Sequence, residues 1–330
     1  MEEKIADLLA QYDLVVYRAG RVKGAWILET NQGLKSLGSC SYSEGKIKFE
    51  QKVKQYAVGH GFKNVDVYVP NKEQNFLVQG PYNEQFVMRN WFFGEECNAK
   101  DREHVLQTAE ALAELHVCMT GFPLAEEEKE FCLQPKLSDV LERRNKELRR
   151  VRTYIRSKKQ KNSFEQNFLS QFDPQFLQAE QAAERLAAMD YERNYDDSIE
   201  KGCMLHGNFN HHSVLMLNGG KTAVIGFDKA VCGIQIQDFY LLFRKIMEKW
   251  EWDVSLGDSM LETYSRVRPI SKEEMKLLEV LLSYPEKFWK VANQYYNNRK
   301  SWIPEKNMQK LLQTMDQAEK KKESIQTLFT

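Results

Sequence analysis

The sequence predicts an α+β fold, with a small β-sheet region over residues 1–92 and a mostly helical region over residues 93–330. Three observations carry this reading. Short β-type runs punctuated by Gly, Asn and Pro dominate the first part, and apolar residues at helical spacing dominate from about Asn98. Within the helical part, two short strands flank a polar loop at His206 to Leu215.

Taken in order, the β-type runs are Leu14 to Tyr17, Ala25 to Glu29, Val65 to Val69, Asn75 to Val78 and Gln85 to Trp91, interrupted by one helix at about Lys46 to Gly59. Val105, Thr108, Leu112, Leu115 and Cys118 or Met119 predict a helix that stops at Gly121 to Pro123. Leu137, Val140, Leu141, Leu148, Val151, Tyr154 and Ile155 keep helical phase through a charged stretch ending near Lys159, and another helix runs from about Phe164 to Met189. Strands Val214 to Leu217 and Thr222 to Phe227 are joined by Asn218-Gly219-Gly220-Lys221, a good hairpin turn. Beyond them the chain reads as helical to its end. Ser271-Lys272-Glu273-Glu274 forms a capping box before Met275 to Leu282, and the tail from Pro304 to Phe329 opens on a residue suited to a first helical turn. Lys320-Lys321-Lys322 reads as a solvated helix face.

Composition narrows the function. A chain of 330 residues, 42% hydrophobic and 12% aromatic, can bury a substantial core. Lys plus Arg equals Asp plus Glu at 47 each, so no global pull toward nucleic acid or an anionic membrane is expected. Cys40, Cys97, Cys118, Cys132, Cys203 and Cys232 are widely spaced without a Cys-x-x-Cys pair, which predicts reduced thiols and an intracellular origin. The start, Met1-Glu2-Glu3-Lys4, is acidic, and no uncharged apolar run approaches about 18 residues, so neither a signal peptide nor membrane insertion is expected.

The loop carries the chemistry. In kinase-type phosphoryl transfer an Asp two residues after the loop His takes the substrate proton, an Asn further on holds magnesium, and an Asp after a short apolar strand holds the metal that bridges the phosphates. Those places hold Asn208, Ser213 and Gly226, in His206-Gly207-Asn208-Phe209-Asn210-His211-His212-Ser213-Val214-Leu215 and Val224-Ile225-Gly226-Phe227-Asp228. An amide is not basic at neutral pH, a serine offers a hard cation one neutral hydroxyl, and glycine offers nothing. Loss of the base alone costs about 10²–10⁴ in rate. Asn208 is therefore expected to be inactive at the base position and His206 to be structural. Ser213, Gly226 and Asp228 mark a degraded metal site at which no metal is expected, although Asp228 leaves a shifted or single-metal site open.

The loop, its strand pair and the segments Gln237 to Lys245, Met247-Glu248-Lys249 with Trp252-Asp253, Tyr284 to Trp289 and Tyr295 to Trp302 resemble the CotS family of bacterial spore coat proteins. That family in turn resembles the aminoglycoside phosphotransferase and choline kinase group. The match runs from about Val15 to the C-terminal helix. It implies a bilobal protein kinase-like fold, with a small β-sheet N-lobe at residues 1–92, a linker near Arg89 to Phe93, and a mostly helical C-lobe at residues 93–330 carrying the degraded loop (206–215) and metal strand (224–228). Complete members have His-Gly-Asp and Asp-Phe-Asp; this chain keeps His206, Gly207, Phe227 and Asp228.

A nucleotide cleft would involve Lys35, Gly38, Arg89, Asn90 and Trp91. Two registers are open for its lysine, since Lys35 follows a leucine whereas the family's spacing favours Gly38; the helix partner would be Glu44 or Glu50. Gly20 to Gly24 has turn chemistry but no Gly-x-Gly-x-x-Gly. Cys203, His206, His211, His212 and Cys232 admit a zinc reading but follow no recognised finger spacing. His116 is expected to pack in the core and Asp238 to anchor the loop. The aromatics from Phe288 to Trp302 suit either core or an interface, and the basic run Lys146 to Lys161 suits either a solvated face or an acidic partner.

The reading favoured is a non-catalytic coat component that binds other spore coat proteins, made in the cytoplasm of the sporulating cell, with no cofactor. The alternatives are an ATP- and Mg-dependent phosphotransferase using Asp228 and Lys35, or an ATP-binding sensor without turnover.

Overall fold

A computed structural model describes residues 2–80, 84–132, 135–297 and 305–329. Trp302 and Pro304, to which the sequence reading gave roles, lie outside the described residues. The chain divides into two compact units, one made of Met1–Leu133, Ser198–Leu242 and Thr263–Arg268, the other of Gln134–Asp197, Phe243–Glu262 and Pro269–Thr330. Residues 93–133 and 198–242 thus group with residues 1–92.

That unit opens with α1 (Glu2–Leu9) and the strands β1 (Val16–Val22), β2 (Ala25–Thr30) and β3 (Gly33–Ser39), followed by α2 (Glu44–Gly59) and then β4 (Tyr68–Val69), β5 (Leu77–Gln79) and β6 (Gln85–Asn90). These form an antiparallel sheet ordered β1-β2-β3-β6-β4, with β5 also on β6. The β1–β2 turn is two residues, Lys23 (φ 48°) and Gly24 (φ 88°), both left-handed. It is tighter than a phosphate-covering glycine loop.

The sheet buries both faces. Leu28, Leu37, Val78 and Met88 pack with Leu8 and Tyr12 near α1, while Tyr68 and Val87 pack against Ile47 of α2. Ser43 starts α2 by accepting a hydrogen bond from the Lys46 amide, which satisfies one donor of the first turn.

Past the linker come β7 (Gly94–Glu96), α3 (Arg102–Cys118), α4 (Lys129–Cys132) and the strands β8 (Met204–Leu205), β9 (Val214–Leu217), β10 (Thr222–Val224) and β11 (Val231–Cys232). The order β10-β9-β7 joins the segment after the linker to the hairpin around the polar loop. Gly219 and Gly220 are both left-handed (φ 74° and 71°), as a two-glycine hairpin turn requires. Strand β10 ends three residues before the expected Phe227, because Gly226 turns left-handed (φ 83°) and starts a short 3-10 turn over Phe227–Lys229.

The second unit is helical: α5 (Leu137–Ser157), α6 (Ser163–Ala187), most of α7 (Tyr191–Glu200), the end of α8 (Ile236–Met247), most of α9 (Val254–Val267), α10 (Lys272–Ser283), α11 (Glu286–Asn297), α12 (Glu305–Asp316) and α13 (Ala318–Phe329). The Ser271 capping box is formed at α10. Much of the basic run on α5 is paired within the unit, Arg149 to Glu180 at 2.9 Å and Arg152 to Asp173 at 2.7 Å. The late aromatics are mainly core: Phe288 stacks on Phe168 at 4.9 Å and Tyr295 on Phe164 at 4.8 Å. Tyr296 remains 47% exposed. The three-lysine run is not uniformly solvated, since Lys321 is half-buried against Trp252, its ammonium 5.5 Å from the ring centre. No helix of the described residues is long and apolar enough to cross a membrane.

Candidate functional site

All the loop residues lie in the first unit, and Asp238 at the start of α8 holds them in place. Its carboxylate accepts the His206 amide at 2.6 Å and the Gly207 amide at 3.0 Å. His116, fully buried, sits between Asp238 (3.4 Å) and the Tyr264 hydroxyl (2.7 Å). The His206 ring, also buried, lies 3.0 Å from the Ile225 carbonyl through Nε2, so that nitrogen carries the proton, and its Nδ1 accepts the Asn208 amide at 3.4 Å. Gly207 is left-handed (φ 80°), and a Cβ there would meet the Lys229 carbonyl at 1.8 Å. The backbone of the loop is thus held by the Asp238 carboxylate and the His206 ring.

At the base position, Asn208 is exposed and carries an amide. Its backbone carbonyl accepts Asn210 Nδ2 at 2.7 Å and the Ser213 hydroxyl at 3.4 Å, so Ser213 is turned into the loop itself. Gly226 donates its amide to Asp66 Oδ2 at 3.1 Å. Asp228 accepts the Tyr42 hydroxyl at 2.8 Å, and burial together with Asp228 pushes Tyr42 up to about 12. Among the described residues no three His, Cys, Asp or Glu side chains are grouped to hold a metal. Of the residues in the zinc reading, His212 pairs instead with Glu96, which also takes Lys23 from the β1–β2 turn.

The sheet register separates the two lysine candidates. Lys35 stands opposite Leu28 and Asn90, on the face that packs near α1, and its ammonium donates to the Gln32 carbonyl at 2.5 Å. Gly38 stands opposite Val87, on the α2 face. Trp91 continues the strand by donating its amide to the Leu34 carbonyl at 3.0 Å. Among the described residues the α2 face therefore lacks a strand lysine.

What occupies that face was not foreseen from the sequence. Lys54, one turn after Glu50 on α2, is fully buried with its ammonium 2.7 Å from Glu50 Oε1, 3.1 Å from Asp66 Oδ1 and 2.9 Å from the Asp66 carbonyl. Arg89 lies 3.9 Å from Asp66 Oδ2 and donates to the Tyr68 hydroxyl at 3.1 Å, while that hydroxyl donates to Glu50 Oε2 at 2.8 Å. Two cations and two carboxylates balance within the chain. Burial alone would raise Glu50, but Lys54 and then Arg89 outweigh it and hold the carboxyl below its ordinary value. Of the two expected helix partners, Glu50 points inward, whereas Glu44 pairs at the surface with Lys48. Sequence alone could have flagged the Glu50–Lys54 spacing, but that spacing more often marks a solvated pair.

The fold is of the aminoglycoside phosphotransferase-like, kinase-like type. The chain belongs to the family described as "Spore coat putative kinase YutH", which matches residues 5–328. Spore coat protein S of Bacillus subtilis (strain 168) is 20% identical over 331 residues, covering 98% of this chain and 93% of that protein, in line with the resemblance read from the sequence. Among solved structures, an aminoglycoside phosphotransferase from Alicyclobacillus acidocaldarius superposes with a TM-score of 0.86 at 20% identity, covering 97% of this chain and 93% of that one. A spectinomycin phosphotransferase does so with a TM-score of 0.69 at 10% identity, covering 97% of each chain.

Proposed function

We propose that this protein is a non-catalytic component of the spore coat that retains a phosphotransferase-like fold as a binding scaffold for other coat proteins. Coat association rests on the family and on the relative named spore coat protein S. The observation that carries the non-catalytic reading is the closed charge balance of Glu50, Lys54, Asp66 and Arg89. In a working site the helix glutamate holds the strand lysine on the phosphates; here Glu50 is spent on a lysine of its own helix, and Gly38 offers no side chain. The scaffold needs neither ATP nor Mg.

A phosphotransferase built on Asp228 and Lys35 faces two obstacles. Lys35 lies on the other face of the sheet, and Asp228 is hydrogen-bonded to Tyr42. The test is coat assembly in sporulating cells lacking the natural protein. Asn208→Ala with Asp228→Ala should enter the coat and restore its protein composition as fully as the unaltered chain. Entry without restoration would mean that the loop does chemistry, and the scaffold reading would fall.

A further inference from the structure

The helical unit holds a small charged cavity that the kinase-like loop does not use. It is lined in part by Arg244, Glu248, Trp252, Glu286, Lys287 and Lys321 and encloses about 40 Å³, more than a single water needs. Three of these residues are cationic, and both carboxylates are already engaged. Glu286 takes Arg144 at 2.5 Å and Lys290 at 3.1 Å, and Glu248 takes Arg244 at 2.5 Å and Lys287 only at 3.9 Å. Lys287 otherwise reaches an amide oxygen, Gln313 Oε1, at 3.0 Å. Lys321 has the Tyr284 carbonyl at 3.1 Å and the Trp252 ring, and among the described residues no carboxylate within ion-pair distance.

We propose that this cavity binds a small oxyanion of the phosphate class, with the Lys321 and Lys287 ammonium groups as its donors and the Arg244 guanidinium behind them. Burying ammonium groups short of counter-charge is costly, and an anion held by several N–H donors at once offsets that cost. The protonation of the site agrees. Burial pushes Lys321 down to about 8, with Arg244 also lowering it and Glu248 and Glu286 opposing; burial likewise lowers Lys287, with Arg244 and Lys310 adding and Glu248 opposing. A bound anion would tie α13, which carries Lys321, to Lys287 of α11 and Arg244 of α8. None of these residues belongs to the loop at His206, so the site stands or falls separately from the coat scaffold reading.

Titration calorimetry of the full chain with inorganic phosphate, at fixed ionic strength set by chloride, tests it. One saturable site is expected, weakened about tenfold or more by Lys321→Gln and retained by Lys321→Arg, which keeps the charge. With sulfate, whose charge does not change near neutrality, affinity should fall as pH rises through about 8, where Lys321 loses its proton. Absence of saturable binding, equal affinity in Lys321→Gln, or competition by chloride at matched ionic strength would overturn the proposal.

Discussion

Replacing Lys54 by Met removes the centre of the buried charge cluster and leaves a side chain of similar length. The Lys54 and Glu50 side chains are 0% and 1% exposed and that of Asp66 is 3% exposed, so two carboxylates would remain out of water with Arg89 as the cation left in the cluster. Breaking a buried pair from one side costs about 3–5 kcal/mol. Arg89, 3.9 Å from Asp66, keeps part of the compensation and places the expected loss near the lower end, about 3 kcal/mol. The pH dependence has a definite sign. Glu50 is held below its ordinary value, so its stabilising contribution is present above the unfolded pKa and is lost as pH falls through the folded one. Without Lys54 the largest part of that contribution is lost, while Arg89 and the Tyr68 hydroxyl keep the rest, so the deficit of the variant should be greatest near neutral pH and narrow on acidification. Adding Glu50→Gln removes the stranded charge and should return stability to within about 1 kcal/mol of the unaltered protein. Urea denaturation followed by tryptophan fluorescence measures all three chains. A Lys54→Met chain within about 0.5 kcal/mol of the original, or one not rescued by Glu50→Gln, would refute the reasoning.

If Gly38 marks the place of the phosphate lysine, as proposed, restoring the loop alone, by Asn208→Asp, Ser213→Asn and Gly226→Asp together, should leave Mg-ATP unbound in calorimetry; combining it with Gly38→Lys and Lys54→Ala should give measurable binding. The Gly226 change also places a side chain at φ 83°, at a cost of about 1–2 kcal/mol to be read from the denaturation midpoint. Gly207→Ala should be worse, losing about 3 kcal/mol or failing to fold, because its Cβ would lie 1.8 Å from the Lys229 carbonyl oxygen as well as at positive φ.

Local chemistry was legible where a few neighbouring residues determine it. Asn218-Gly219-Gly220-Lys221 supplied both left-handed positions of its turn, and Ser271 with Glu274 supplied both halves of a capping box. The loop frame was legible because His206, Gly207 and Asp238 interact through fixed backbone geometry. Elements with weak local signals were not foreseen: α1, α7, the three-residue β7, and the break at Gln317 that divides the tail into α12 and α13. The lysine register stayed open because β3 is buried on both faces, so alternation could not say which face Lys35 takes. The charge cluster was hidden for a related reason, since Asp66 and Arg89 reach Lys54 only once the sheet has formed. Lys321 was misread because three consecutive lysines look solvated, whereas helical rotation turns the middle one toward Trp252.

The central claim is that the cleft no longer handles nucleotide. Thermal denaturation of the full chain across a titration of ATP with Mg, paired with transfer of labelled γ-phosphate to the protein, to coat extract or to water, tests it most directly. The account predicts no saturable rise in melting temperature and no transfer above a chain carrying Asp228→Ala. A saturable rise would contradict it, whether alone or together with transfer that Asp228→Ala abolishes.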